Sequence, residues 1–113
     1  MPSLTCKSTV RFKGFTPALL RILRAAWTVA QDCDVVITSA NDATHSETSR
    51  HYTNEALDFR VHHLPTDDAR RGFVAALRAE LGPAFTVLYE SPGTPNAHVH
   101  VQPRKGTTYE GPV

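Results

Sequence analysis

Two segments of this 113-residue chain carry residue types that bind metal ions. His51 and Asp58 stand in the first, and His98 and His100 form a His-Val-His segment about forty residues later. A catalytic zinc site commonly takes three ligands from histidine, carboxylate and cysteine side chains and keeps a fourth position for water. The residue types therefore indicate a zinc site, although a His-x-His pair on a half-exposed strand is often only two surface histidines.

The strand pattern would place these side chains in one cleft. Residues 55–61 alternate as a strand does, with one apolar face and one polar face that carries Asp58. Residues 97–102 predict a second strand, on which His98 and His100 project from the same face. The side chains of Asp58, His98 and His100 can therefore approach one another if the two strands pair.

The other elements are predicted from periodicity, caps and turn residues. We expect strands over 6–12, 34–40 and 84–90, a helix over 17–31 capped by Thr16, and a second helix that opens at Pro65–Asp68 and ends at Gly82–Pro83. The order predicts a single α+β domain with a mostly antiparallel sheet and two helices packed on one side. Trp27 is expected in the core, and residues 103–113 are expected to form a loose tail.

Composition excludes several functional classes. The net charge is +1, and the hydrophobic and charged fractions are 41% and 20%, typical of a globular domain rather than a basic nucleic-acid binder. No apolar run approaches the roughly 20 residues of a membrane span, and the start lacks a secretory signal. We therefore expect a cytoplasmic chain as synthesised, which would need other means to reach a cell wall. Cys6 and Cys33 are expected to be buried or half-buried thiols.

Residues 44–58 closely resemble the zinc-binding stretch of hedgehog signalling domains. That stretch belongs to a wider superfamily that includes D-Ala-D-Ala carboxypeptidases, dipeptidases and phage endolysins. The shared signature is Ser-x-His, a small turn residue and Ala-x-Asp, present here as Ser49-Arg-His51 and Ala56-Leu-Asp58.

The second half of the same pattern resembles residues 87–91 and 97–100, so that the resemblance covers roughly residues 35–102. It implies a fold like that of the hedgehog domains and D-Ala-D-Ala peptidases. It also implies a zinc metallopeptidase of carboxypeptidase or endopeptidase type.

The resemblance implies a role for each site residue. His51, Asp58 and His100 would be the metal ligands. Glu90 would be the general base that takes a proton from the zinc-bound water. His98 would line the same cleft and stabilise the oxyanion or hold the substrate.

The chain departs from the superfamily pattern at several positions. Asn54 replaces the usual glycine, and asparagine is the next residue most tolerant of positive φ. The hairpin after Glu90 is longer than in hedgehog domains. Enzymes of the superfamily often carry an arginine just before the first ligand segment, and residues 37–42 contain none. Arg50 and Arg60 either bind a substrate carboxylate in its place or are simply solvated. His45 either lines the cleft or is exposed.

These inferences predict a monomeric enzyme that binds one zinc ion per chain and hydrolyses a peptide, expected to come from the bacterial cell wall. We expect no nucleic-acid or membrane partner. The alternative is a non-catalytic, zinc-stabilised binding module of the hedgehog type. Both hypotheses require His51, Asp58 and His100, and they differ at Glu90, because only hydrolysis needs a base.

Overall fold

The computed structural model describes residues 2–41 and 50–113, and the predictions for His45 and Ser49 lie outside these ranges. The elements are β1 (Leu4–Cys6), α1 (Pro17–Ala30), β2 (Val35–Ser39), a 3-10 turn (Arg50–Thr53), β3 (Leu57–Arg60), α2 (Asp67–Leu81), a second 3-10 turn (Gly82–Ala84), β4 (Phe85–Glu90) and β5 (His98–Pro103). The fold is α+β, and the predicted order of strands and helices is confirmed.

Five strands form one mixed sheet in the order β1-β2-β3-β5-β4. β1 pairs in parallel with β2, and the other three pairings are antiparallel. Between β3 and β5, Asp58 lies opposite His100 and Arg60 lies opposite His98. Between β4 and β5, Glu90 lies opposite His98. β5 therefore places its two histidines between strands that carry the two candidate carboxylates.

Both helices begin with a threonine cap: Thr16 is the cap predicted for α1, and Thr66 lies within the segment predicted to open α2. The Thr16 side chain accepts a hydrogen bond from the Leu19 amide at 3.2 Å, and Thr66 accepts one from the Ala69 amide at 3.0 Å. Each hydroxyl satisfies an amide that has no partner within its helix. α2 ends at Leu81, and its C-cap is Gly82, whose φ of 71° suits glycine at a helix terminus.

The core lies between the helices and one face of the sheet. α1 contacts α2, β2 and β5, and α2 also contacts β4. The fully buried strand residues include Leu57, Phe59, Val99 and Val101. Because side chains alternate along a strand, Asp58, His98 and His100 project from the opposite face. The alternation predicted for residues 55–61 is confirmed over Leu57–Arg60, but Ala56, which was predicted on the polar face, is buried.

The first strand and the buried face of α1 differ from the prediction. The strand expected over 6–12 is β1, Leu4–Cys6, which ends where the Val10 amide donates to the Lys7 carbonyl and turns the chain.

Trp27 was wrongly predicted in the core and is 45% exposed. The buried face of α1 consists instead of Ala18, Leu19, Ile22, Ala25, Ala26 and Ala30. Its four alanines present little bulk to the elements packed against them.

The two cysteines were also wrongly predicted to be buried or half-buried. Cys6 and Cys33 are exposed free thiols, because Cys6 ends the edge strand β1 and Cys33 lies in the turn between α1 and β2. No described helix is both long and apolar enough to cross a membrane.

Residues 104–113 form no helix or strand, but they contact the domain at several points. The Tyr109 ring packs against Phe85 with the ring centroids 4.8 Å apart. Arg24 donates a hydrogen bond to the Val113 carbonyl at 2.9 Å. The chain terminus is therefore connected to both β4 and α1.

Candidate metal centre

His51, Asp58 and His100 bring three ligand atoms together at the polar face of the sheet. Asp58 Oδ1 lies 2.8 Å from His100 Nδ1 and 3.3 Å from His51 Nε2. His51 Nε2 and His100 Nδ1 are also 3.3 Å apart. His51 is 2% exposed, and the other two residues are partly buried. The three residues can hold a metal ion.

A main-chain carbonyl orients His51. Its Nδ1 lies 2.6 Å from the carbonyl oxygen of Ala40, next to the end of β2. A carbonyl oxygen only accepts hydrogen bonds, so Nδ1 carries the proton and donates it. In the neutral ring, Nε2 is then unprotonated and directed towards Asp58, as a metal ligand requires.

A side chain orients His100 in the same way. Its Nε2 lies 2.7 Å from Oε1 of Gln102, and its Nδ1 is directed towards Asp58. The sequence interpretation did not include Gln102 among the site residues. The alternation of residues 97–102 contained the signal, because Gln102 must share a strand face with His98 and His100.

The turn between the first two ligands is held at Asn54. This residue has φ of 59°, a positive value that asparagine tolerates better than most residues. Thr16 donates its hydroxyl proton to the Asn54 carbonyl at 2.7 Å, and Asn41 donates its amide proton to Asn54 Oδ1 at 3.0 Å. The N-terminus of α1 and the end of β2 therefore fix the chain between His51 and Asp58.

The charges of the cluster favour an ionised carboxylate. Burial alone would raise the pKa of Asp58, but the hydrogen bond from His100 and the contact with His51 outweigh it and hold that pKa well below its ordinary value. Burial alone would lower the pKa of His100, but its contacts with Asp58 and Gln102 outweigh it and raise that pKa above 6.5. Without a metal ion, Asp58 and His100 therefore form a charge-assisted hydrogen bond.

Glu90 and His98 form a pair beside the cluster. His98 Nε2 lies 3.1 Å from Glu90 Oε1 and 4.0 Å from Asp58 Oδ2. Its Nδ1 lies 2.8 Å from the Asn96 carbonyl oxygen, which fixes the ring in the hairpin. The Glu90 side chain is 45% exposed, so solvent reaches its carboxylate.

The two arginines considered as substrate ligands lie in different surroundings. Arg60 lines a groove of about 440 Å³ together with Lys7, Asp58 and His98. The Arg50 guanidinium instead contacts Glu55 at 3.0 Å and donates to the Thr107 carbonyl at 2.6 Å. Arg60 is thus next to the cluster, and Arg50 connects the ligand loop to the terminal segment.

The described residues gather a His-Asp-His group, a neighbouring glutamate-histidine pair and an adjoining groove on one face of the sheet. Such a combination can bind a metal ion, transfer a proton and accommodate a ligand. Comparison with known proteins found no family, no curated protein and no solved structure that matches this chain.

Proposed function

We propose that this protein is a zinc-dependent metallopeptidase that hydrolyses a peptide bond in bacterial cell-wall peptides. The proposal includes a hedgehog/D-Ala-D-Ala-peptidase-like fold with a mostly antiparallel sheet. The observation that carries it is the convergence of His51 Nε2, Asp58 Oδ1 and His100 Nδ1 beside Glu90. The class of substrate is supported by the resemblance of residues 44–58 to the zinc-binding stretch of that superfamily.

The ligand set supports zinc. Bonds of about 2.0–2.1 Å in a tetrahedral zinc site place neighbouring ligand atoms about 3.3 Å apart. Two of the three distances in the cluster are 3.3 Å, and the third, between Asp58 and His100, is 2.8 Å. Two histidines and one carboxylate are a ligand set found in catalytic zinc sites, which keep one position for water or substrate.

Glu90 is the proposed general base. When bound, zinc supplies the Lewis acidity that lets a water molecule lose a proton near neutral pH. The Glu90 carboxylate accepts that proton and can pass it to the leaving amine. His98 Nε2 lies between Glu90 and Asp58. Because its Nδ1 proton is donated to the Asn96 carbonyl, Nε2 orients the base and donates a hydrogen bond to the substrate carbonyl in the imidazolium form.

The groove beside the cluster is the proposed substrate site. Arg60 and Lys7 line it, and neither forms an ion pair with another residue in the ranges 2–41 and 50–113. Two unpaired cations suit a substrate that carries carboxylates, as cell-wall peptides do. Arg60 lies directly opposite His98 in the sheet, so a bound carboxylate would lie close to the reacting groups.

Replacing Glu90 by glutamine tests the proposal, because the change keeps the shape and removes the basic oxygen. We expect Glu90→Gln to lower peptide cleavage by about 10²–10⁴-fold with unchanged zinc content. The control is Glu110→Gln, which alters an exposed glutamate in the terminal segment and should leave the rate unchanged.

Equal cleavage by wild type and Glu90→Gln would show that Glu90 is not the base. A fully zinc-loaded wild type that cleaves nothing in a broad panel of wall-derived peptides would favour the non-catalytic binding module instead.

A further inference from the structure

We infer that Gln102 is a positioning residue that selects Nδ1 of His100 as the metal-binding atom. The inference rests on the metal site proposed above and adds to it a residue that touches neither metal ion nor substrate. Its basis is the contact of 2.7 Å between Gln102 Oε1 and His100 Nε2.

The sheet places Gln102 where it can act on the His100 ring. Both residues lie on β5 and are separated by one residue, so their side chains project from the same face. Both are partly buried, which limits competition from solvent for the ring nitrogen. Thr86 lies opposite Gln102 on β4 and shares this face, and no hydrogen bond joins it to the His100 ring within residues 2–41 and 50–113.

Two acceptors compete for the single proton of a neutral His100 ring. Asp58 Oδ1 lies 2.8 Å from Nδ1, and Gln102 Oε1 lies 2.7 Å from Nε2. If the proton is on Nδ1, that atom donates to Asp58 and is unavailable as a ligand. If it is on Nε2, Nδ1 presents its lone pair beside Asp58 and His51.

Gln102 therefore favours a proton on Nε2 of His100, whereas Asp58 favours a proton on Nδ1. A carboxylate is the stronger acceptor, and without Gln102 it would favour the tautomer that blocks metal binding. The Ala40 carbonyl has the same relation to His51, but a main-chain group cannot be removed by substitution. Gln102 is the member of this arrangement that mutation can test.

The experiment compares variants that remove or keep the acceptor. Gln102→Leu and Gln102→Met remove it with little change in size, and Gln102→Glu keeps it. Zinc affinity is measured by competition with a chelator. We expect 10–100-fold weaker binding in the first two variants, as is typical when an outer partner of a ligating histidine is lost. Gln102→Glu should restore most of the affinity.

The control is Thr86→Val, which alters the cross-strand neighbour and should leave zinc affinity unchanged. A purely structural role would weaken binding in Thr86→Val and Gln102→Glu as well. Nitrogen-15 chemical shifts of the His100 ring in zinc-saturated wild type supply a second measurement. They should show Nδ1 bound to zinc and a proton on Nε2.

Wild-type affinity in both Gln102→Leu and Gln102→Met would overturn the inference and leave the metal site standing. Zinc on Nε2 of His100 in the wild type would also overturn it. A wild-type protein that binds no zinc would overturn the inference together with the proposed site.

Discussion

Asp58 and His100 lie directly opposite each other on β3 and β5, with Oδ1 and Nδ1 2.8 Å apart. Strand register alone creates this contact, although 41 residues separate the two in the chain. At this distance the two atoms share a proton unless a cation replaces it. A proton and a metal ion therefore compete for the same position.

The competition predicts a pH dependence of zinc binding. A metal-binding histidine must lose its proton, and the pKa of His100 in the metal-free protein is raised above 6.5. Protonated His100 therefore persists to higher pH than an ordinary histidine would. We expect the apparent zinc affinity to fall as the pH is lowered through this pKa, and the loss to begin at a higher pH than for an ordinary histidine.

Chelator competition at about pH 8, 7 and 6 measures the effect. An affinity that stays constant from pH 8 to 6 would show that no histidine proton is displaced.

His98 and His100 should respond differently to substitution, although they share one strand face. His98 contacts Glu90 at 3.1 Å and lies 4.0 Å from Asp58, whereas His100 contacts Asp58 directly. We expect His98→Ala to keep most of its zinc and lose peptide cleavage. His100→Ala should lose both. Metal analysis of the two purified variants shows which histidine is the ligand. The opposite pattern of zinc content would mean that the wrong histidine has been assigned.

Asn54 predicts a difference in stability between two small substitutions. Its φ of 59° costs an alanine roughly 1–2 kcal/mol and costs a glycine little. Both variants lose the hydrogen bond that Asn41 donates to Asn54 Oδ1. We therefore expect Asn54→Gly to be more stable than Asn54→Ala by about 1 kcal/mol in the free energy of unfolding. Urea denaturation of the metal-free proteins measures this difference in the free energy of unfolding. An alanine variant at least as stable as the glycine variant would contradict the prediction.

Local signals in the sequence were sufficient for most of the fold. The Thr16-Pro17 cap and the opening segment 65–68 located both helix starts, because a hydroxyl that accepts a helix amide needs only nearby residues. The alternation of residues 55–61 located the polar face that carries Asp58. These features depend on spacing along the chain, which a sequence displays directly.

Features that depend on tertiary contacts were not predictable. Trp27 was assigned to the core because helical spacing alone cannot show which of two apolar stripes meets the sheet. β1 was placed too late, since its position depends on pairing with β2, about thirty residues away. The role of Gln102 depends on the orientation of the His100 ring, which follows from the pairing of β3 with β5.

The most direct test of the account is a zinc titration of the metal-free protein, with thermal stability recorded at each step. We predict saturation at one zinc per chain and a rise in melting temperature, because a ligand that binds only the folded state stabilises it. Asp58→Ala should lose the high-affinity binding and the rise, whereas Asp32→Ala, at an exposed position in the turn after α1, should keep both. Full zinc occupancy in Asp58→Ala would contradict the proposed site.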